Sequence, residues 1–127
     1  MIQIGSLLTV IDNSGAKKVA CIRINTSCKK AYAYTGDTIV VSIKSLRSKR
    51  RFSSKVKKGE VYNALIIKTK IEKQDFFSHR VSSLQNSVIL LTRQNKLVGT
   101  RIFAAIYRKF RYTRYMKILS LSAGTIN

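Results

Sequence analysis

Leu7-Leu8-Thr9-Val10-Ile11 runs straight into Asp12-Asn13-Ser14-Gly15, and Val19-Ala20-Cys21-Ile22-Arg23-Ile24 follows. The first run is apolar. It stops at a cluster that favours a turn, because Asp and Asn bond their own backbone and Gly accepts positive φ. The second run is rich in β-branched residues and alternates in part. The reading is strand, turn, strand, and the pattern repeats down the chain. Residues 38–44 (TIVVSIK) follow Gly36-Asp37, residues 61–70 (VYNALIIKTK) follow Gly59-Glu60, and residues 87–92 (SVILLT) precede the turn candidate Gln94-Asn95-Lys96. Five short strands with turns between them predict a small barrel or sandwich.

The last third changes character. Between residues 103 and 122 apolar side chains recur at spacings of three and four, among them Ile106, Phe110, Tyr112, Met116, Leu119 and Leu121. That spacing predicts one or two short helices, with Thr113 placed to cap a helix that begins near Arg114. The expected whole is mainly β. A small β-barrel occupies about residues 1–100, and a short helical part over about residues 101–127 packs on it, the two forming a single domain.

The chain has 127 residues, 25 Lys+Arg against 5 Asp+Glu, and a formal net charge of +20. Such a surface repels itself, and its natural counterpart is a polyanion. With 45% hydrophobic residues the chain is no disordered basic tail. The longest apolar run, residues 88–91, falls far short of a bilayer span. Residues 1–10 have neither the basic-then-apolar pattern of a secretory signal nor the Arg of an organelle presequence. Cys21, Cys28 and the lone His79 are too few for a disulfide framework or a structural zinc site, which points to a reducing compartment. Proline is absent, and no physical reason for that is evident.

The charge is uneven. Residues 44–58 hold eight basic residues and no acid: Lys44, Arg47, Lys49, Arg50, Arg51, Lys55, Lys57 and Lys58. Unpaired charges at this density cannot be buried, so the segment reads as an extended arm or hairpin tip. Arg can grip a phosphate through two N–H groups, and Lys acts as a compact point charge. Lys17-Lys18 and Lys29-Lys30 add two basic pairs near turns. Residues 76–127 contain no acid, and there Arg108, Lys109, Arg111 and Arg114 interleave with Phe110, Tyr112 and Tyr115. These aromatics could stack on splayed bases, but their helical spacing also suits packing, which is the preferred reading. Phe52, in the basic arm, has no evident core to join and is the better stacking candidate, with Tyr112 kept beside it.

Catalysis finds little support. Asp12, Asp37 and Glu60 sit beside turn glycines, where a carboxylate caps backbone N–H groups. Glu72 and Asp75 fall in a polar hairpin end, and His79 beside Arg80 reads as a surface residue. Cys21 lies within a strand pattern as a small core residue, and Cys28 is a loop cysteine. No phosphate loop, dinucleotide fingerprint or nucleophile elbow occurs. No enzyme activity, metal or cofactor is expected. The rivals are a small-substrate enzyme on a barrel, a general basic nucleic-acid-binding protein, a DNA-compacting protein, and a membrane-surface protein. The last lacks the continuous basic amphipathic helix it would need.

The ordered motifs resemble the universal large-subunit ribosomal protein fourteen family. They run from Met1-Ile2-Gln3 through Asp12-Asn13-Ser14-Gly15-Ala16, Cys21-Ile22, Gly36-Asp37, Val56-Lys57-Lys58-Gly59-Glu60-Val61 and residues 64–70 (ALIIKTK). They resume at Asn86 before residues 88–91, then Gly99-Thr100-Arg101-Ile102-Phe103 and residues 116–121 (MKILSL). Single pieces are weak signals, whereas the ordered set is specific.

The resemblance implies a five-stranded β-barrel with a projecting ribbon, and binding to large-subunit ribosomal RNA. It also implies a place on the subunit-joining face with bridges to small-subunit RNA, large-subunit proteins three and nineteen as neighbours, and a ribosome-silencing factor as a possible visitor. By position it turns Lys17, Lys18, Lys29, Lys30, Lys55, Lys57 and Lys58 toward RNA. Arg101 lies in the GTRIF motif, where Ile102 and Phe103 are expected to be buried.

The chain departs from the family pattern in several places. Thr26 and Ser27 stand where glycines are usual. The arm is longer, more basic and without its proline, and Ala105 replaces another. The turn expected within residues 71–85 and the C-terminal acids are missing, so contacts made through those acids are not carried over. This drift, together with a composition rich in Ile, Lys, Asn and Tyr and the lack of a presequence, points to an organelle-encoded protein. A mitochondrion is preferred, with a plastid or bacterial cytoplasm behind it.

Overall fold

The computed structural model describes residues 1–25, 31–48, 54–71 and 82–126. Five strands form a closed barrel: β1 (Leu7–Val10), β2 (Ala16–Asn25), β3 (Thr38–Leu46), β4 (Val61–Lys68) and β5 (Ser87–Leu91). Sequential neighbours pair antiparallel, with Leu7 opposite Ala20, Val19 opposite Ile43, Ile39 opposite Ala64, and Leu65 opposite Ile89. The parallel pairing of β1 with β5, Val10 opposite Val88, closes the ring. Closure leaves no barrel strand with an unpaired edge.

Alternation along the strands sets which side chains fill the barrel. Leu8, Val10, Val19, Cys21, Ile39, Val41, Ile43, Ala64, Ile66, Val88 and Leu90 belong to one buried cluster. On β4 and β5 the intervening residues Leu65, Ile67, Ile89 and Leu91 are buried too, in a second cluster with Ile102, Ile106, Tyr107, Phe110 and Ile118. The C-terminal part therefore covers the outer face of β4 and β5. This explains why both strands read as unbroken apolar runs and not as alternating ones. Among the described residues no such cover lies over β1 and the start of β4, where Leu7 and Val61 are 63% and 53% exposed.

The C-terminal part contains the two short helices expected, a 3-10 turn at Arg108–Tyr112 and α1 at Lys117–Leu121. The helix begins at Lys117, however, and not near Arg114. The Thr113 hydroxyl donates to the Phe110 carbonyl at 2.9 Å and accepts from the Tyr115 N–H at 3.3 Å, so it caps a turn upstream of α1. Two strands flank the helices unforeseen: β6 (Ala105–Tyr107) pairs parallel with β7 (Gly124–Ile126). Phe110 is 1% exposed and anchors this part, as its helical spacing predicted. Burying such a ring is worth about 2–3 kcal/mol.

Candidate nucleic-acid interface

The turn between β1 and β2 organises one end of the barrel. Asp12 is fully buried. One carboxylate oxygen accepts the Ser14 N–H at 3.0 Å and the Ser14 hydroxyl. The other accepts the Leu90 N–H of β5 at 3.0 Å. Asn13 reaches the opposite way. Its side-chain oxygen accepts the N–H groups of Thr100 and Arg101 at 2.7 and 3.3 Å, and its amide donates to the Thr100 hydroxyl at 2.8 Å. The turn is thereby tied to the GTRIF segment. Gly99 allows that approach, since a Cβ there would lie 2.8 Å from the Asp12 Cβ.

Gly15 has φ +102°, and a Cβ on it would sit 2.6 Å from the Ser54 Cβ. Here the basic arm meets the turn. The Arg47 N–H donates to the Gly15 carbonyl at 2.9 Å, and the Lys55 N–H donates to the neighbouring Ser14 carbonyl at 3.0 Å. Both feet of the arm thus stand on adjacent carbonyls of one turn. The Arg47 side chain is half-buried. Its Nη2 donates to the Val10 carbonyl at 3.0 Å, and its guanidinium lies 5.1 Å from the centre of the Phe103 ring. Phe103, expected to be buried, is 52% exposed. Its N–H is fixed to the Ile11 carbonyl at 2.9 Å, and its ring serves as a platform for Arg47. Ile102 is buried as expected, at 4% exposure.

The other cations of this end are exposed. Lys17 and Lys18 lie in β2, with Lys18 opposite Ser45 of β3, next to the exposed Lys44. Lys57 and Lys58 occupy the turn before β4, which is held to β3 by hydrogen bonds between Ile43 and both Gly59 and Glu60. Lys55 is exposed and donates from Nζ to the Val98 carbonyl at 3.4 Å, and Arg101 is exposed on the segment that Asn13 holds. The structure gathers these residues around the β1–β2 turn and the adjoining end of β3. Lys29, Lys30, Lys49, Arg50, Arg51 and Phe52 lie outside the described residues, as do Thr26, Ser27, Cys28, Glu72, Asp75 and His79.

A second group lies on the C-terminal part. Arg108, Arg111 and Lys117 line an open groove of about 550 Å³ with Met116 and Leu119 on its wall. Lys117 also lines a neighbouring hollow of about 440 Å³ with Lys96, Arg114 and Tyr115. Lys96 and Lys117 were not singled out from the sequence. Lys117 sits in the same basic run as Arg114, a usable signal, whereas Lys96 is brought in only by the fold. Lys109 is half-buried, with its ammonium 5.6 Å from the Tyr107 ring centre, and the Arg114 guanidinium is 5.1 Å from that of Tyr115. Tyr112 is 85% exposed, so the packing preferred for it does not occur. Its ring is free to meet a planar partner.

The described carboxylates do turn chemistry. Asp37 accepts the Tyr34 N–H at 2.9 Å. Glu60 accepts the Lys57 N–H at 2.8 Å and the Tyr62 hydroxyl at 3.1 Å. The Lys57 N–H, foremost, holds the Glu60 carboxyl below its ordinary range, and the Tyr62 hydroxyl and Lys57 charge add to this. Burial, then the bond to Glu60, pushes the Tyr62 phenol up. Cys21 is buried in the barrel as predicted, and burial raises its thiol pKa. Among the described residues no group of three His, Cys, Asp or Glu could hold a metal, and no helix is long and apolar enough to cross a membrane.

Among the described residues the barrel displays cations at two places, and Asp12, Asp37 and Glu60 are engaged by its own backbone. Such a surface can neutralise closely spaced phosphates. The family model described as Ribosomal protein L14p/L23e matches residues 1–126, and the chain belongs to that family of structural proteins of the large ribosomal subunit.

Proposed function

We propose that this chain binds large-subunit ribosomal RNA as a built-in component of the particle, and that its cations let RNA segments approach one another. The observation that carries the reading is the +20 charge on a barrel whose described carboxylates, Asp12, Asp37 and Glu60, are occupied internally, in a chain of a ribosomal family. Lys17, Lys18, Lys44, Lys55, Lys57, Lys58 and Arg101 form one phosphate-facing group, with Lys29, Lys30, Lys49, Arg50 and Arg51 joining from the adjoining segments. Arg108, Lys109, Arg111 and Arg114 form the second. Phe52 and Tyr112 are the stacking residues. Contact of this kind reads backbone shape more than sequence.

By analogy with its family, the protein contributes to bridges with small-subunit RNA during translation, beside large-subunit proteins three and nineteen. The contacts that family members make with protein nineteen or a ribosome-silencing factor through C-terminal acids are not carried over, because residues 76–127 hold no acid. The composition, rich in Ile, Lys, Asn and Tyr and without proline, favours a mitochondrial ribosome.

The test is a titration of the purified chain against a large-subunit RNA transcript from about 50 to about 200 mM salt. Replacing Lys17, Lys18, Lys57 and Lys58 together by Gln should flatten the log–log salt slope by about 3, at roughly 0.7–0.9 per phosphate contact. An unchanged slope would show that these lysines meet no phosphate.

A further inference from the structure

The Thr100 side chain is held in a way that decides where its proton points. Asn13 Oδ1 accepts two successive backbone N–H groups, from Thr100 at 2.7 Å and from Arg101 at 3.3 Å. An amide NH2 could not face two donors, so Nδ2 is turned the other way and donates to Thr100 Oγ1 at 2.8 Å. The hydroxyl oxygen is thus an acceptor in this contact, and its own hydrogen points away from Asn13. No described residue accepts that hydrogen. Thr100 is exposed, so the protein presents a hydroxyl donor outward.

The surroundings suit an anion. Arg101, next in the chain, is exposed, and its guanidinium makes no hydrogen bond or ion pair among the described residues. Lys55 is exposed and spends one donor on the Val98 carbonyl at 3.4 Å, two residues before Thr100. An ammonium has two more donors to give. Asp12, beside Asn13, is fully buried with both oxygens engaged, so it offers these cations nothing. The backbone beneath is pinned on both sides of Thr100. The Asn13 N–H donates to the Arg101 carbonyl at 3.2 Å, and the Ile102 N–H donates to the Leu121 carbonyl at 3.0 Å. Gly99 lies so close to Asp12 that a Cβ on it would be 2.8 Å from the Asp12 Cβ. A donor fixed in advance loses little freedom when a ligand arrives.

We propose that Thr100 is a direct RNA contact, its hydroxyl donating to a phosphate oxygen of the ribosomal RNA beside Arg101 and Lys55. The role rests on the RNA-binding reading above and adds to it a neutral donor that a count of charges does not find. Asn13 sets the direction of the hydroxyl and touches no RNA itself. The contact has its own signature. A lysine or arginine on a phosphate releases a counterion and steepens the salt dependence. A hydroxyl carries no charge, so it raises affinity by one factor at every salt concentration.

The test uses the full chain with the RNA transcript and salt series described above. Thermal unfolding of each variant sets a temperature at which all are folded, and binding is read there. Thr100→Val keeps the shape and removes the hydroxyl. It should bind roughly three- to tenfold more weakly across the whole series, on a line parallel to wild type. Thr100→Ser, which restores the donor, should bind like wild type. Arg101→Gln should instead lower the slope by about 0.7–0.9. Wild-type affinity in Thr100→Val would overturn the proposal. So would a Thr100→Val slope as flat as that of Arg101→Gln with no further loss in the double variant, because Thr100 would then only support Arg101. A wild-type chain without salt-dependent binding would refute the RNA-binding reading itself, and this contact would fall with it.

Discussion

Asp12→Ala should be among the most damaging single substitutions in the barrel. The carboxylate is fully buried and receives three donors: the Ser14 N–H, the Ser14 hydroxyl and, 78 residues away, the Leu90 N–H. Alanine leaves all three without an acceptor. A buried donor stripped of its partner costs about 1–3 kcal/mol, and the hydroxyl can rotate away, so the loss is about 3–5 kcal/mol. That is a large part of the ~5–15 kcal/mol that holds a domain folded. At about 2.1 cal/mol/K per residue of unfolding entropy, each kcal/mol moves the midpoint of a chain this long by about 4 °C. Thermal unfolding followed by far-UV circular dichroism should show a Tm lower by about 10–20 °C. Asp12→Asn should fall between, since it keeps one acceptor oxygen but turns an NH2 toward a donor. An Asp12→Ala protein melting within about 3 °C of wild type would refute the view that this side chain bolts the turn to β5.

Gly99→Ala should lower stability by about 1–3 kcal/mol, because its Cβ would lie 2.8 Å from the Asp12 Cβ and prise the turn off the GTRIF segment. A urea midpoint equal to wild type would count against the close approach. The lowered Glu60 pKa makes a stability contribution that is present above the ordinary carboxylate range and lost as pH falls through the folded value. The gap in unfolding midpoint between wild type and Glu60→Gln should therefore narrow on acidification, and parallel curves would contradict it. With Cys28 replaced by Ser, the buried Cys21 thiol should resist thiol reagents at neutral pH until the barrel unfolds. Fast labelling of the native protein would show otherwise. Tyr112→Ala should leave Tm nearly unchanged, the ring being 85% exposed, yet weaken RNA binding by about 1–3 kcal/mol if a base stacks there.

Much of this architecture is legible in the residues. The five barrel strands follow from β-branched runs bounded by Gly, Asn and Asp, because such turns depend on local chemistry. The pairs that close and cover the barrel are less local. The two three-residue strands β6 and β7 are too short to show a period of two, and they pair across 18 intervening positions or so, so only the helical spacing between them was visible. The role of Asp12 in its turn is evident from Asp12-Asn13-Ser14-Gly15, but its second oxygen finds a donor on a distant strand. The basic arm is plain from its charge, yet charge alone ranks Arg47 with its neighbours. Only the fold brings Val10 and Phe103 beside it. Burial was expected of both Ile102 and Phe103 in the GTRIF motif, but alternate residues of an extended segment face opposite ways.

The central claim is that this protein is a built-in, RNA-held component of a large ribosomal subunit. Sedimentation of the tagged chain from lysate through a high-salt sucrose gradient, with fractions probed for the large and small ribosomal RNAs, tests it most directly. The account predicts retention in both the free large subunit and the joined ribosome. Release to the top of the gradient would contradict it, and would leave a loose polyanion binder in its place.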